Sequence, residues 1–548
     1  MSDWWNNYPW RLIQTNLREI DMRDIRAQRV VEDLRGFGAT VLMINAAGII
    51  ASYPTKLPFH FQSPYLTGDS LADIIGACHD AGIRVIARTD FSKVRREIFE
   101  QYPQWAYRTV GGEVADYNGD VAVCPAGAYQ QEYALQIIEE VLSTHEFDGI
   151  FFNMGGFQTR DYSGRYYGIC HCESCRQRFG QVFGGALPTR EDMEDPLYRK
   201  YAVYKKTVVA EQEQKVAALI ERIRPGICVA NHFSTKRGFI RQESNTAVDR
   251  PLPHWQYSGS ENTKWARASY PAMVSSNTTV DFIDFPYRHV AVSPAQQKLR
   301  LHQGLANGGA LDYYLIGRLD NHEDRSGFAA VKEVFAFHQR HEAEYAGLRS
   351  MATIALVNGP NANAGEFRGW FRFLVEGHFP FDVVVTGAAD DWDWGRYELI
   401  IVPDLQGIGD GLAAKLDAFV ERGGVLLATG RSGFRDESYE PRERVALQCL
   451  GIDAVRQVCT AMRSAYLKLD EKQGLRRFEQ TDLVYVDGPW VDAAYAPDVR
   501  GRFKLIEPHM FGPPERCYYT TVSDEPGLLT RPAGKGRAIY LPWLPGQL

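Results

Sequence analysis

The chain has 548 residues, 45% hydrophobic and 24% charged, a length that exceeds one core and a balance ordinary for a soluble, multidomain globular protein. A formal net charge of -7 with no Lys/Arg run excludes nucleic acid as the main partner. No apolar stretch approaches the roughly 20 residues of a membrane span, which excludes a membrane partner.

The first segment, Met1-Ser2-Asp3-Trp4-Trp5, has neither a basic n-region nor a long apolar h-region, so no secretory signal is expected there. The nine cysteines are mostly scattered and fit reduced thiols in a cytoplasm better than disulfides. Over the first ~345 residues, apolar strand patterns alternate with amphipathic helix patterns, the signature of βα units and a parallel sheet. Eight strands are expected near Leu12–Leu17, Thr40–Asn45, Arg84–Asp90, Gly149–Asn153, Cys228–His232, Phe239–Ser244, Val280–Phe285 and Ala310–Ile316. The sixth has an alternative near His254–Tyr257. Eight such units suit a (β/α)8 barrel.

From about Ser350 a second pattern begins. Met351–Pro360, Phe381–Val385, Tyr397–Pro403 and Gly424–Gly430 read as strands of a doubly wound α/β domain. That domain has neither G-x-G-x-x-G nor G-x-S-x-G, so no organic cofactor and no nucleophile elbow are assigned. The remaining residues alternate weakly, with Pro/Gly turns, and suggest a small C-terminal β domain. The expected boundaries are 1–347, 348–457 and 458–548.

The densest chemical motif is Cys170-His171-Cys172-Glu173-Ser174-Cys175, after an apolar strand and with Cys124-Pro125 upstream. C-x-C-x-x-C thiolates can close on one soft cation, and Cys124 completes a tetrahedral set, so structural zinc is expected; His171 is the alternative to Cys124. Four protein ligands leave no open position, which assigns the metal to holding a loop.

In a (β/α)8 barrel the reactive groups gather at the C-terminal strand ends. The candidates there are Arg88, Asp90, Asn153, Asn231, His232, Glu243, Glu261, Asp281, Asp284, Tyr313, Tyr314 and Asp320. Trp255, Trp265 and the two tyrosines could stack on a sugar face. Carboxylates, amides and aromatics dominate, the set used for glycoside hydrolysis, in which one carboxyl protonates the leaving oxygen and another attacks or activates water. Asp284 is expected as nucleophile or base and Glu243 as acid, with Glu261 the rival for the acid role. Asp281 and Asp284 are three apart and cannot share a strand face.

Cys124-Pro125, Asn153-Met154 and Cys170/Cys172/Cys175 together resemble the zinc knot of family 42 β-galactosidases. The 350–455 stretch resembles that family's trimerisation domain. The chain as a whole looks closest to the related "hypothetical glycosyl hydrolase 6" type, with family 151 α-L-fucosidases sharing the architecture. The resemblance implies an exo-acting glycosidase on small oligosaccharides or glycosides, fucosidase-like or β-galactosidase-like, forming a homo-oligomer (trimer or hexamer). It departs from the pattern at one place. Where the β-galactosidases carry the general acid/base Glu after the Asn, this chain has Met154, and Asn153 alone stands where fucosidases place an Asp nucleophile. That departure keeps open a non-hydrolytic sugar-binding protein, or another sugar-processing enzyme such as a lyase or transglycosylase.

Overall fold

The computed structural model describes residues 3–6, 8–246, 255–460 and 462–547. They fall into two compact units, Met1–Arg349 and Ser350–Leu548.

The first unit is built on eight parallel strands: β1 Arg11–Asn16, β2 Val41–Gly48, β3 Arg84–Asp90, β4 Gly149–Asn153, β5 Cys228–Val229, β6 Phe239–Ser244, β7 Val274–Val280 and β8 Ala310–Ile316. Their order is β5-β4-β3-β2-β1-β8-β7-β6. The two ends meet through a single parallel bridge, Ala230 with Phe239, and the Asn231 amide N–H donates to the Phe239 carbonyl at 2.8 Å. The sheet is therefore a nearly closed (β/α)8 barrel, as expected. Gly238 makes that closure possible: its φ is +91°, and a Cβ there would lie 2.0 Å from the Val229 carbonyl oxygen.

The seventh strand differs from expectation. It runs over Val274–Val280, and the apolar run read as that strand instead forms an antiparallel hairpin, Phe282–Asp284 against Tyr287–Ala291. The barrel strand Val-Ser-Ser-Asn-Thr-Thr-Val was passed over because its inward face is polar by design of the interior: Ser276 and Thr278 donate to the buried Asp312 carboxylate at 3.0 and 2.6 Å. The sixth strand lies at Phe239–Ser244; of its alternative, His254 lies outside the described residues.

Period-2 alternation sorts each strand. Leu12, Val41, Met43, Ile86, Phe151 and Phe239 fill the barrel interior with Trp10, and each contributes roughly 1.5–3 kcal/mol by burial. Ile13, Leu42, Val85, Ile150, Leu311 and Tyr313 face the surrounding helices. The longest helix, Pro196–Ile223, starts with Pro at its first turn and with the Asp195 side chain accepting from the Leu197 amide at 2.9 Å.

The second unit contains a nine-stranded sheet. Its strands are β9 Ile354–Asn358, β10 Phe381–Val385, β11 Leu399–Pro403, β12 Val425–Thr429, β13 Ala465–Lys468, β14 Leu483–Val486, β15 Arg500–Ile506, β16 Pro526–Ala533 and β17 Gly536–Leu541. Their order is β10-β9-β11-β12-β17-β16-β15-β13-β14. The first five are parallel, and the rest antiparallel. β9 and β11 are apolar runs buried on both faces, as parallel strands require.

Among the described residues no helix is long and apolar enough to cross a membrane.

Candidate active site and cysteine cluster

At the C-terminal mouth of the barrel lies a cavity of about 560 Å³, within the range of small-molecule sites. Five of the expected site residues line it: Arg88, Asn153, Glu243, Asp284 and Tyr314.

The floor is a polar network rising from the barrel interior. Asp312 on β8 is fully buried, and burial pushes its carboxyl up despite the opposing Arg241 charge and the Thr278 and Ser276 hydrogen bonds. Arg241 on β6 lies 3.4 Å from Asp312 through Nε and donates from Nη1 to Glu243 at 3.0 Å. Its guanidinium also lies over the Phe151 ring at 4.7 Å. The buried arginine thus fixes the half-exposed Glu243 carboxylate from beneath. On the opposite wall Asn16 donates to the Tyr314 hydroxyl at 3.0 Å.

Asp90 is a supporting residue. One of its oxygens accepts from the Ser92 amide and hydroxyl, the other from Asn153 Nδ2 at 2.9 Å. Its carboxylate therefore orients the Asn153 amide. Gly48 allows the crowding here: its φ is +116°, and a Cβ would stand 2.1 Å from the Asp90 carbonyl oxygen. Met154 follows with φ +52° and lines the cavity.

Asp284 lies on the hairpin beyond β7, 5% exposed, with the Phe285 amide donating to it at 2.7 Å. Asp281, three residues earlier, is satisfied inside the barrel wall. It accepts from Gln297 at 2.8 Å and Tyr313 at 2.6 Å, and pairs with His322 at 2.9 Å. Only Asp284 of the two reaches the cavity.

Other expected residues lie elsewhere. Tyr313 faces the helix layer, within 6.4 Å of the Phe37 and Phe328 rings, so it cannot stack on a ligand in the barrel mouth. Asn231 joins β5 to β6, accepting from the Arg241 amide at 2.8 Å. Asn231 and His232 line a neighbouring cavity of about 350 Å³ that shares Asn153 and Met154 with the first. Glu261, in the first turn of the helix Ser258–Ser269, accepts from the Trp255 indole; neither is among the described residues lining the main cavity. Trp265 packs on Phe233 and Tyr270. Asp320 pairs with Arg318 at 2.9 Å.

Lys93, Asp161 and Tyr162 are among the lining residues with no sequence expectation, and Arg288 lines the cavity too. Asp161 opens a turn in which Ser163 Oγ, the Ser163 and Arg165 amides and the Tyr167 hydroxyl all donate to it. Burial is the largest single influence and raises its carboxyl, but the hydrogen bonds from Ser163, Tyr167 and the Ser163 and Arg165 amides together outweigh it and hold it below the ordinary range. Asp161-Tyr162-Ser163-Gly164 is a readable turn signal; its return over the mouth is not readable. Tyr162 meets Phe285 edge-on at 5.4 Å, and Arg288 lies 5.1 and 4.8 Å from those two rings. These exposed rings offer the stacking surface expected of the tryptophans.

The four cysteines of the loop cluster converge. Ligand atoms of Cys124, Cys170, Cys172 and Cys175 lie within 4.8 Å of one another, all buried, with Cys124 and Cys175 sulfurs 3.3 Å apart. A tetrahedral metal with bonds of about 2.3 Å needs sulfur–sulfur edges near 3.8 Å, so the donor set fits such an ion. Cys172 stands at the N-cap position of the helix Glu173–Phe183, and Cys175 lies in its first turn. His171 instead engages the Pro188 carbonyl at 3.0 Å through Nε2.

Residues 26–154 match the family described as hypothetical glycosyl hydrolase 6, and residues 342–449 match the β-galactosidase trimerisation domain. No curated protein matches the chain significantly in sequence. Among solved structures, α-L-fucosidase isoenzyme 2 from Paenibacillus thiaminolyticus is 19% identical, with a TM-score of 0.73 over 98% of this chain and 81% of that one. A family 42 β-galactosidase from G. stearothermophilus is 14% identical, with a TM-score of 0.73 over 98% and 86%. The β-galactosidase from Bacillus circulans sp. alkalophilus is 14% identical, with a TM-score of 0.72 over the same shares. At these identities the likeness establishes the fold. Through its two matched segments the chain is related to glycoside hydrolases, and it shares the fold of the fucosidase and the β-galactosidases.

Proposed function

We propose that the protein hydrolyses small glycosides from one end, with Asp284 and Glu243 as the carboxyl pair. The observation that carries this reading is the meeting of both residues with Arg88, Asn153 and Tyr314 around one cavity at the barrel mouth. Asp284 acts as nucleophile or as the base on water, and Glu243, held by Arg241, supplies the proton to the leaving oxygen. The bond between the anomeric carbon and that oxygen breaks, and water delivers its hydroxyl to the carbon, directly or after a covalent intermediate. Met154 cannot transfer a proton, so the acid comes from β6 rather than β4.

A panel of aryl glycosides, α-L-fucoside and β-D-galactoside included, tests the reading. Turnover should appear on at least one sugar and fall by orders of magnitude in both Asp284→Asn and Glu243→Gln. Near-normal turnover in Asp284→Asn removes that residue from the chemistry. The same reading includes a zinc ion on the four cysteines, a cytoplasmic setting in which their thiols stay reduced, and a trimer or hexamer assembled through residues 348–457. Metal analysis and analytical ultracentrifugation check the first and last.

Met154 favours one second reading, a sugar-binding protein without turnover. Tight sugar binding together with silence across the panel would select it.

A further inference from the structure

The cavity is lined by more cationic charge than its own carboxylates answer. Lys93, in the short strand Lys93–Arg95, is only 7% exposed and lines the cavity. Its ammonium donates to Ser92 Oγ at 3.2 Å and lies 5.1 Å from the Tyr162 ring centre. Among the described residues no carboxylate stands within ion-pair distance of it. Arg88, whose side chain is 11% exposed, reaches Asp90 only at 3.9 Å, and its buried Nε has no hydrogen-bond partner. That Asp90 carboxylate is already occupied by Ser92 and Asn153. Arg288 rests on the Tyr162, Phe282 and Phe285 rings and has no ion pair among the described residues.

The carboxylates of the same lining are engaged. Asp161 is saturated by its own turn, Glu243 is paired with Arg241, and Asp284 accepts from a backbone amide. A buried ammonium that makes no contact ion pair, with Asp120 acting on it only at longer range, is costly to keep. Such a charge is retained where an incoming group supplies the missing partner, and the burial of Lys93 beside the Tyr162 ring strengthens that contact.

We infer that the sugar bound in this cavity carries an anionic substituent, a carboxylate or a sulfate ester, received by Lys93, Arg88 and Arg288. The inference rests on the glycoside-hydrolase reading for the identity of the ligand as a sugar, and it names the substrate class within it. A neutral fucoside or galactoside would leave Lys93 without an anionic partner.

Calorimetric binding to Asp284→Asn protein separates this inference from the hydrolytic reading. The probes are two hexuronates, a sulfated galactose, and neutral galactose and fucose. One class of acidic sugar should bind about tenfold to a hundredfold more tightly than the neutral ones, the range of a hydrogen bond to a charged group. Whether the hexuronates or the sulfated sugar win identifies the anion. Lys93→Met should narrow that ratio towards one, and its unliganded unfolding midpoint should rise, because a buried charge without a contact ion pair is gone. Arg88→Met should narrow the ratio as well. Equal or tighter binding of the neutral sugars overturns the inference, as does failure of every acidic sugar to bind, or a preference that survives both substitutions. Acidic sugars bound but no acidic glycoside turned over by the unaltered protein would leave the inference standing and remove hydrolysis. Turnover of neutral glycosides without acid preference would do the reverse.

Discussion

The cysteine cluster and the barrel mouth sit in the same unit and treat polar groups in opposite ways. In the cluster, four buried sulfurs face one another around a common centre, and His171 turns away to a carbonyl. Asp281 behaves similarly, with Gln297, Tyr313 and His322 enclosing both oxygens. At the mouth, Lys93 and Arg88 are nearly as buried, yet Lys93 contacts a hydroxyl rather than a carboxylate, and Arg88 reaches Asp90 only at 3.9 Å with its buried Nε unmet. A closed set of partners serves the fold; an unclosed set of similar burial waits for something else. Three residues of chain separate Asp281, enclosed in the barrel wall, from Asp284, which borders the cavity.

That contrast can be broken by mutation. The largest effect is expected from Asp284→Asn, which should lower kcat by about 10² to 10⁴-fold while leaving the thermal midpoint unchanged. A matching loss of stability would place Asp284 with the closed groups. Next comes the cluster. Cys175→Ser, or chelation, should lower the unfolding midpoint by roughly 10 °C, with KM at low temperature unaltered. A change in KM at full folding would give the cluster a direct part in binding. Asp281→Ala strands a tyrosine hydroxyl, an amide and an imidazole in the interior, and should cost about 3 kcal/mol in denaturant unfolding. Asp284→Asn beside it should cost far less, and equal values would erase the distinction.

An effect of similar size, spread over several pH units, is a pH dependence in the second unit. Burial, reinforced by Asp404, pushes the Glu366 carboxyl up to about 7 against hydrogen bonds from Thr429, Trp370 and the Gly546 amide. Between pH 4.5 and about 7 the folded form keeps a proton that the unfolded form has released, so stability falls as pH rises through that window. The fall should be about 3 kcal/mol, and Glu366→Gln should flatten it. A stability that rises over the same range in the unaltered protein contradicts the assignment.

Much of the barrel was legible because its outward positions are apolar and its strand ends polar. Ile13, Leu42, Val85 and Ile150 alternate with residues of the interior, and that period is visible without coordinates. The seventh strand was not, since Ser276 and Thr278 serve a buried carboxylate that only the fold brings near. The cysteines were legible through spacing, a local property. Tyr313 and Tyr314 were read together, although neighbours on a strand face opposite ways; one is wedged against Phe37, and the other borders the cavity. Lys93 carried no signal, because a lysine in a short strand reads as solvated until its burial is known; Arg288 was legible only as an ion-pair partner for Asp284, and in the structure it rests on aromatic rings instead. The contribution of Asp161 depends on a loop returning over the mouth, a long-range event that turn residues alone do not encode.

The order of strands in the second unit bears on how the chain is made. β17, Gly536–Leu541, pairs in parallel with β12 on one side and antiparallel with β16 on the other. It is an interior strand of the nine, although the ribosome delivers it after all the others. Until residue 541 has emerged, β12 and β16 both present open edges, and the sheet remains in two pieces. Such edges invite pairing with other chains, so this unit depends on its last strand to end an exposure that lasts for most of its synthesis.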